Sequence, residues 1–250
     1  MKKALITGAS EGIGRAFALR LAETGFYVTA VARNKARLEE LLEELPQGDH
    51  SFIVADLSTA GGVKKVATEL SRNHYELLVN NAGVGVVGDF AELPLKRLQS
   101  MMKLNLDALV QLAHAYVQTT REGDALINVS SALAFMPTPM MSVYAATKAF
   151  VTSFSESLWH EQRPRGVFVM ALHPGVTGTN FHTRSGGDDQ NRPPESITQT
   201  PEQVVDTAMA ALSKRRTPTV ISGVKNKLFT SMGRLMPRRY MVSMMGKGFQ

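Results

Sequence analysis

The 250-residue chain contains no cysteine. That absence excludes disulfides, thiolate-ligated zinc, iron–sulfur clusters and thiol catalysis together. Long apolar runs are missing too. Nothing approaches the ~18 consecutive apolar residues of a membrane-spanning helix. The opening MKKALITGAS has two lysines but only a short apolar run, too little for a secretory leader. The expectation is a cytoplasmic protein. No repeat of solenoid period is present. Finally, acids are absent from one stretch. Lys225 to Gln250 holds six bases (Lys225, Lys227, Arg234, Arg238, Arg239 and Lys247) and no aspartate or glutamate. Six of the 28 Lys plus Arg lie there, which leaves 22 bases against all 22 acids upstream. The net charge of +6 and the pI near 9.6 therefore belong to the tail. Such a pI would suggest nucleic acid, but a neutral body with a cationic appendage is a different distribution.

What is present is an ordinary globular composition, 44% hydrophobic and 20% charged, long enough for one large α/β domain. Ala4–Thr7 is a short apolar strand that runs into Gly8, and Ile13–Glu23 has helical periodicity. Tyr27–Ala32 is β-branched and short. In Lys35–Leu45, leucines 38, 41, 42 and 45 make a helix stripe. Strand Ser51–Ala55, helix Gly62–Asn73, strand Leu77–Asn80, a long helix from Leu95 to Thr120, strand Ala125–Val129, helix Ser142–Gln162 and strand Val167–Leu172 follow. The alternation predicts parallel βαβ units: a doubly wound α/β sheet with helices on both faces. Ligands of such sheets sit at the carboxyl ends of the strands. The polar segment Asn180–Thr200 breaks the alternation and reads as a structureless lid. Helix Pro201–Ser213 and strand Thr219–Ser222 complete a domain expected to span residues 1–223, with residues 224–250 as an extension.

The first strand opens into Gly8-Ala-Ser-Glu-Gly12-Ile-Gly14 and then a helix. Glycines there permit a tight turn and let backbone N–H groups approach a pyrophosphate at the helix N-terminus. The end of the second strand selects between nicotinamide cofactors. An acid there would hydrogen-bond the adenosine 2′-hydroxyl and repel a 2′-phosphate. This chain has Ala32 in that place and Arg33 after it. A guanidinium suits a phosphate dianion, so the reading is NADP(H). Glu11, inside the glycine turn, works mildly against it.

Tyr144-Ala-Ala-Thr-Lys148 sets a phenol and an ammonium four apart on one helix face. A free phenol, with a pKa of ~10, is a poor acid–base catalyst at neutral pH. A lysine held ~4 Å away could favour phenolate by up to ~4 kcal/mol at an effective dielectric near 20. Ser130 and Ser131 close the strand thirteen or fourteen residues upstream, Asn80-Asn81-Ala82-Gly83 closes the strand before that, Asp56 ends the third, and Asn105 lies within the long helix.

Taken jointly, T-G-x-x-x-G-x-G at Thr7–Gly14, Asp56, N-N-A-G at Asn80–Gly83, Asn105, the serine, Y-x-x-x-K at Tyr144–Lys148 and P-G at Pro174–Gly175 resemble the short-chain dehydrogenases/reductases over residues 3 to about 213. The resemblance implies that Tyr144 is the general acid protonating a carbonyl oxygen. Lys148 would tune it and hold the nicotinamide ribose, and Ser131, by the family's spacing, would bind the carbonyl. Asn105 would hold a relay water. It implies a cofactor site of Gly8, Ser10, Gly12, Ile13, Gly14, Arg33, Asp56, Leu57, Asn81, Ala82, Gly83, Pro174, Gly175, Thr177 and Thr179, together with Tyr144 and Lys148. Thr177 departs from the family, which has an aliphatic residue there. No metal is implied. A homodimer or homotetramer is.

Between Ser131 and Tyr144, Phe135, Met136, Met140 and Met141 form an apolar wall or ordinary packing. The substrate reading is a small apolar ketone or a 3-oxoacyl thioester, with a non-catalytic NADP(H)-binding protein on the same fold as the alternative. His182 and Arg184 read as solvated or as head-group contacts, and His173 as structural. In the tail, Leu228, Phe229, Met232, Leu235 and Met236 make one helical stripe, and Tyr240, Met241, Met244 and Met245 a second after Pro237. This basic amphipathic pair can dock on acidic lipid as a peripheral membrane contact, cover an acyl pocket or pack on a partner subunit. It has little aromatic interleaving, and no nucleic-acid partner is expected.

Overall fold

The computed structural model describes residues 2–186 and 194–247, with the backbone alone at 232–235. Seven strands form one sheet, all pairs parallel, in the order β3-β2-β1-β4-β5-β6-β7. They are β1 (Lys3–Thr7), β2 (Tyr27–Ala32), β3 (Ser51–Val54), β4 (Leu77–Asn80), β5 (Ala125–Val129), β6 (Phe168–His173) and β7 (Thr219–Ile221). The helices are α1 (Gly12–Glu23), α2 (Lys35–Glu44), α3 (Ala60–Arg72), α4 (Leu95–Met102), α5 (Leu109–Val117), α6 (Ser142–Gln162), α7 (Phe181–Ser185), α8 (Pro201–Lys214), α9 (Val224–Leu235) and α10 (Arg238–Lys247). This is the Rossmann-like architecture the alternation predicts.

The central strands are buried on both faces, so their residues divide by parity. Ala4, Ile6, Leu77, Val79, Ala125, Ile127, Phe168 and Met170 face α1, α2 and α8. Leu5, Leu78, Leu126 and Val169 face α3, α5 and α6. Register joins that second set into one row across the sheet, with Leu5 opposite Leu78, Leu78 opposite Leu126, and Leu126 opposite Val169. Strand order reverses between β1 and β4, whose carboxyl ends flank the crevice where such sheets bind ligands.

Two expectations change, and a third, left open by the sequence, is narrowed. The helix from Leu95 is not uniform: a π-helical segment, Lys103–Ala108, separates α4 from α5. Asn105, 1% exposed, lies in that segment and bonds away from the helix. The stretch Asn180–Thr200 is not bare loop. It contains α7, a 3-10 turn at Glu195–Ile197 and a bridge from Thr177 to Gln199; its residues 187–193 lie outside the described residues. In the tail the two helices form, but Leu228 and Phe229 of the expected stripe are exposed. Polar Asn226 and Thr230 turn inward instead, and the side chains of Met232 and Leu235 lie outside the described residues. Among the described residues no helix is long and apolar enough to cross a membrane.

The row through Leu78 is the mechanical centre of the sheet. Leu78→Ala is expected to cost ~2–5 kcal/mol, since the neighbours of a fully buried leucine between strands can relax only in part. The check is a lowered urea midpoint at unchanged m-value.

Candidate active site

The crevice is built at the ends of β1 and β4. The Thr7 hydroxyl accepts from the backbone N–H of Asn81 and of Ala82, both at 2.9 Å, and donates to the Val79 carbonyl at 3.3 Å. The Asn81 amide donates to the carbonyls of Thr7 (2.9 Å) and Gly8 (3.3 Å). Its nitrogen is therefore committed to joining the strand ends. Gly12 has φ +55°, and a Cβ there would sit 2.9 Å from the Thr179 methyl. A Cβ on Gly14 would lie 2.2 Å from the Gly8 carbonyl oxygen. The turn is thus closed to larger side chains for steric reasons. Ser10 is half-buried and Ile13 packs against the core.

No side chain caps the first turn of α1, where Glu11 is the N-cap residue. Glu11 is turned aside. Its carboxylate pairs with Arg37 at 2.9 Å, with Arg184 of α7, and with the Asn180 amide at 3.5 Å. The acid that sequence set against a phosphate is thereby offset by two guanidiniums, and Arg184, half-exposed as its solvated reading expected, is engaged in that pair. An uncapped helix start, a turn with no room for Cβ atoms and a neutralised acid together fit a dinucleotide pyrophosphate.

Ala32 is buried and Arg33 is exposed beside it. Arg33 faces Asp56 across the ends of β2 and β3. Burial alone would raise the Asp56 carboxyl, but bonds from the Ser58 hydroxyl (2.7 Å) and Ser58 N–H (2.9 Å), with the Arg33 charge, hold it below the usual range. Leu57 is buried among the α3–α5 core residues, which leaves its backbone for a cofactor contact.

At the ends of β5 and α6, the Tyr144 phenol is set toward the Ser131 hydroxyl, whose influence acts to lower its pKa. Ser131 accepts from Leu133 N–H at 3.2 Å. Ser130 points elsewhere, donating to the Lys148 carbonyl at 2.8 Å. Lys148 is buried. Its ammonium donates to the Val129 carbonyl at 2.9 Å and stands 5.8 Å from the centre of the Tyr144 ring. Burial pushes the phenol up to about 12, against the influence of Ser131, and brings Lys148 down to about 8. The expectation that Lys148 lowers the phenol is not met here, because desolvation outweighs every other influence on Tyr144. Asn105 clasps Val84 through both ends of its amide, accepting from N–H and donating to O, each at 3.0 Å, and reaches Thr147 at 3.2 Å. A Cβ on Gly83 would lie 3.3 Å from both Asn105 Oδ1 and Lys148 Nζ, so the two polar groups flank one point.

Apolar residues surround the phenol. Tyr144 clusters with Val86, Leu98, Met101 and Met141, and Leu133 and Phe181 pack against them. Met136 instead packs on Met241 and Met245 of α10, and Met140 is half-exposed at φ +63°. Opposite, Pro174 O accepts from Ala132 N–H at 2.8 Å, Thr177 Oγ1 donates to Gly175 O at 3.1 Å, and Thr179 closes over Gly12. His173 is fully buried, with Thr152 Oγ1 at 3.0 Å and Val220 O at 3.2 Å. His182 lies in α7. Sequence reasoning missed Arg37, in the first turn of α2, whose pairing with Glu11 across the glycine turn has no local sequence signal. It also missed Phe181, whose ring lies 5.5 Å from that of Tyr144, and Asn226, which covers Gly175 from the tail and has no sequence signal.

The chain matches the family model described as short chain dehydrogenase over residues 2–190. It belongs to the short-chain dehydrogenase/reductase family, a family of oxidoreductases. It is 35% identical over 212 residues to sulfoacetaldehyde reductase 2 of Chromohalobacter salexigens, covering 82% of this chain and 84% of that protein. Hydroxysteroid dehydrogenase-like protein 1 of Gallus gallus is 33% identical over 186 residues, 71% of this chain and 56% of its own length. Very-long-chain 3-oxoacyl-CoA reductase of Laccaria bicolor is 34% identical over 182 residues, 68% and 53% respectively. The chain thus spans just over half of those last two proteins. The solved short-chain dehydrogenase from Sphingobium yanoikuyae in complex with NADPH superposes with a TM-score of 0.82 at 32% identity, over 94% of this chain and 95% of that one.

The opposed shifts fix a pH dependence. A phenol near 12 keeps its proton across the working range, whereas Lys148 is charged below about 8 and neutral above. Giving up the phenolic proton leaves a buried anion that needs that ammonium. Reductive turnover should therefore be level below about pH 8 and fall above it. Lys148→Arg, charged throughout, should lose rate but also lose the descending limb; a limb that persists in the variant contradicts the assignment.

Proposed function

We propose that this protein reduces the carbonyl of an apolar ketone or a 3-oxoacyl thioester with NADPH. The observation that carries the reading is the buried Tyr144 phenol, set toward the Ser131 hydroxyl and among apolar side chains at the carboxyl edge of the sheet. When bound, the nicotinamide supplies the hydride. Everything else falls to the chain. Ser131 and Tyr144 converge on one oxygen, polarising it and donating the proton as negative charge develops. Lys148 steadies the phenolate left behind, and Asn105, held by Val84 and Thr147, stands beside the lysine as an anchor for a relay water. Leu133, Met141 and Phe181 exclude water around the reacting carbon and favour a substrate with apolar flanks. The oxoacyl-CoA activity named for one relative and the NADPH bound to the solved neighbour support the substrate class and the cofactor.

Arg33, exposed after the end of β2, supports NADPH over NADH. Asp56, Asn81–Gly83 and the Pro174–Thr179 segment would line the adenosine and nicotinamide ends. Exposed Leu95 and Met102 on α4, and Phe150 on α6, stacked on Phe154, support pairing of subunits through these helices into a homodimer or homotetramer.

Tyr144→Phe should lower kcat by ~10²–10⁴-fold while NADPH affinity is retained; full turnover in an oxoacyl and ketone panel rejects the mechanism. Arg33→Ala should reduce the NADPH-to-NADH preference by ~10–100-fold, the worth of one charge-assisted phosphate contact. An unchanged ratio places the discrimination elsewhere.

A further inference from the structure

The last two helices meet the body with the less apolar side of α9 and leave much of their apolar surface outside. In α9 the inward residues are Asn226 and Thr230. The Asn226 amide donates to Ser222 O at 2.7 Å and to Gln199 Oε1 at 3.3 Å, and Thr230 is 2% exposed. At ~100° per residue, the side roughly opposite is occupied by Val224 and Leu228, one turn apart. These are 81% and 63% exposed. Lys225 flanks that ridge on one side and Lys227 on the other. An ordinary surface helix turns its valine and leucine inward; α9 does the reverse.

In α10 the inward residues are Met241 and Met245, buried against Met136. The opposite side carries Arg239, Ser243 and Lys247 at successive turns, all exposed, with Tyr240 and Val242 at its margins. Together the outer faces offer an apolar ridge fringed by lysines and a cationic ridge fringed by apolar residues. No acid occurs anywhere in the segment to oppose them.

We infer that the outer face of α9 and α10 docks on an anionic lipid bilayer. Val224 and Leu228 would enter the headgroup–acyl boundary, with Lys225 and Lys227 snorkelling to phosphate on either side and Arg239 and Lys247 beside them. Charge complementarity selects this occupant. A two-fold contact with a second copy would set the face against itself, base against base. The acidic helix α2 of another copy would give an open-ended, head-to-tail contact, and two of its acids are already paired, Glu44 with Arg15 and Glu39 with Lys35. The inner face of α10 rests on Met136, in the segment between Ser131 and Tyr144, so docking would bring that segment close to the lipid surface. The inference concerns the tail's surface and stands or falls independently of the reaction proposed above.

The test uses the full-length protein and vesicles of phosphatidylcholine, with and without 30% phosphatidylglycerol, at low and high salt. Binding should be at least ~10-fold stronger to the anionic vesicles and should weaken with salt. Each cation at such a surface is worth about fivefold in partitioning, so Arg239→Ser with Lys247→Ser should lower binding ~25-fold. Val224→Asp with Leu228→Asp should abolish it. None of these side chains supports the body, so melting temperature and NADPH turnover should match wild type; the arginine–lysine pair gives an independent reading should the aspartate variant fail to fold. Equal binding to both vesicle types, binding to neither, or binding unaffected by the substitutions overturns the inference. So does an aspartate variant that changes the sedimenting mass while vesicle binding is unaltered, which would make the face an interface between copies.

Discussion

The structure depends on one knot, the side chain of Thr7 and the amide of Asn81 at the point where strand order reverses. Thr7 is 1% exposed, and its hydroxyl uses its hydrogen and both lone pairs, to Val79 O and from Asn81 and Ala82 N–H. Asn81 returns two bonds to the carbonyls of Thr7 and Gly8. A buried polar cluster satisfied to this degree admits one geometry. It sets the distance between the glycine turn after β1 and the N-N-A-G turn after β4, the two lips of the crevice. Gly83 then brings Asn105 and Lys148 to one point, and α6 carries Tyr144 from there to Ser131.

The sheet and the placing of Tyr144 and Lys148 on one helix face were legible in the sequence because both rest on short-range regularities. Parity along Ala4–Thr7 and Leu77–Asn80, helical spacing from Tyr144 to Lys148 and glycines at fixed offsets each have a local cause. What was not legible depends on pairings between distant segments. The π-helical turn at Asn105 forms where an amide clasps Val84, twenty-one residues away. The partner of Glu11 is Arg184, in a segment with no regular pattern of its own. The orientation of α9 was not legible, because an apolar stripe flanked by bases can face the body, a partner or lipid; the bonds from Asn226 to Ser222 and Gln199 decide which side meets the body.

Glu11 shows how an apparent liability is absorbed. An acid at the start of α1 favours the helix dipole but opposes an anionic ligand. Arg37 from α2 and Arg184 from α7 both reach it. The pairing offsets the charge and also ties the segment after β6 to the glycine turn, with the Thr179 methyl closing over Gly12 beneath. The same acid that complicates a sequence reading of the cofactor thus fixes the covering segment over the place where that cofactor would lie.

Burial gives Tyr144 and Lys148 opposite displacements, and the direction matters for the chemistry. Desolvation penalises phenolate and ammonium alike, so it keeps the phenol protonated and loosens the proton on the lysine. In the free protein the phenol therefore holds its proton throughout the working range, and a charged Lys148 is what would offset the anion left when that proton is given up. The phenol can give a proton to an oxygen that is becoming negative, and only then does the lysine's charge find a counter-ion close by. Leu133, Met141 and Phe181 are among the apolar side chains packed around the phenol, and they contribute to the burial that raises it. The apolar surroundings of the phenol thus also set its proton affinity, and replacing them with polar residues would move the Tyr144 pKa back toward its ordinary value.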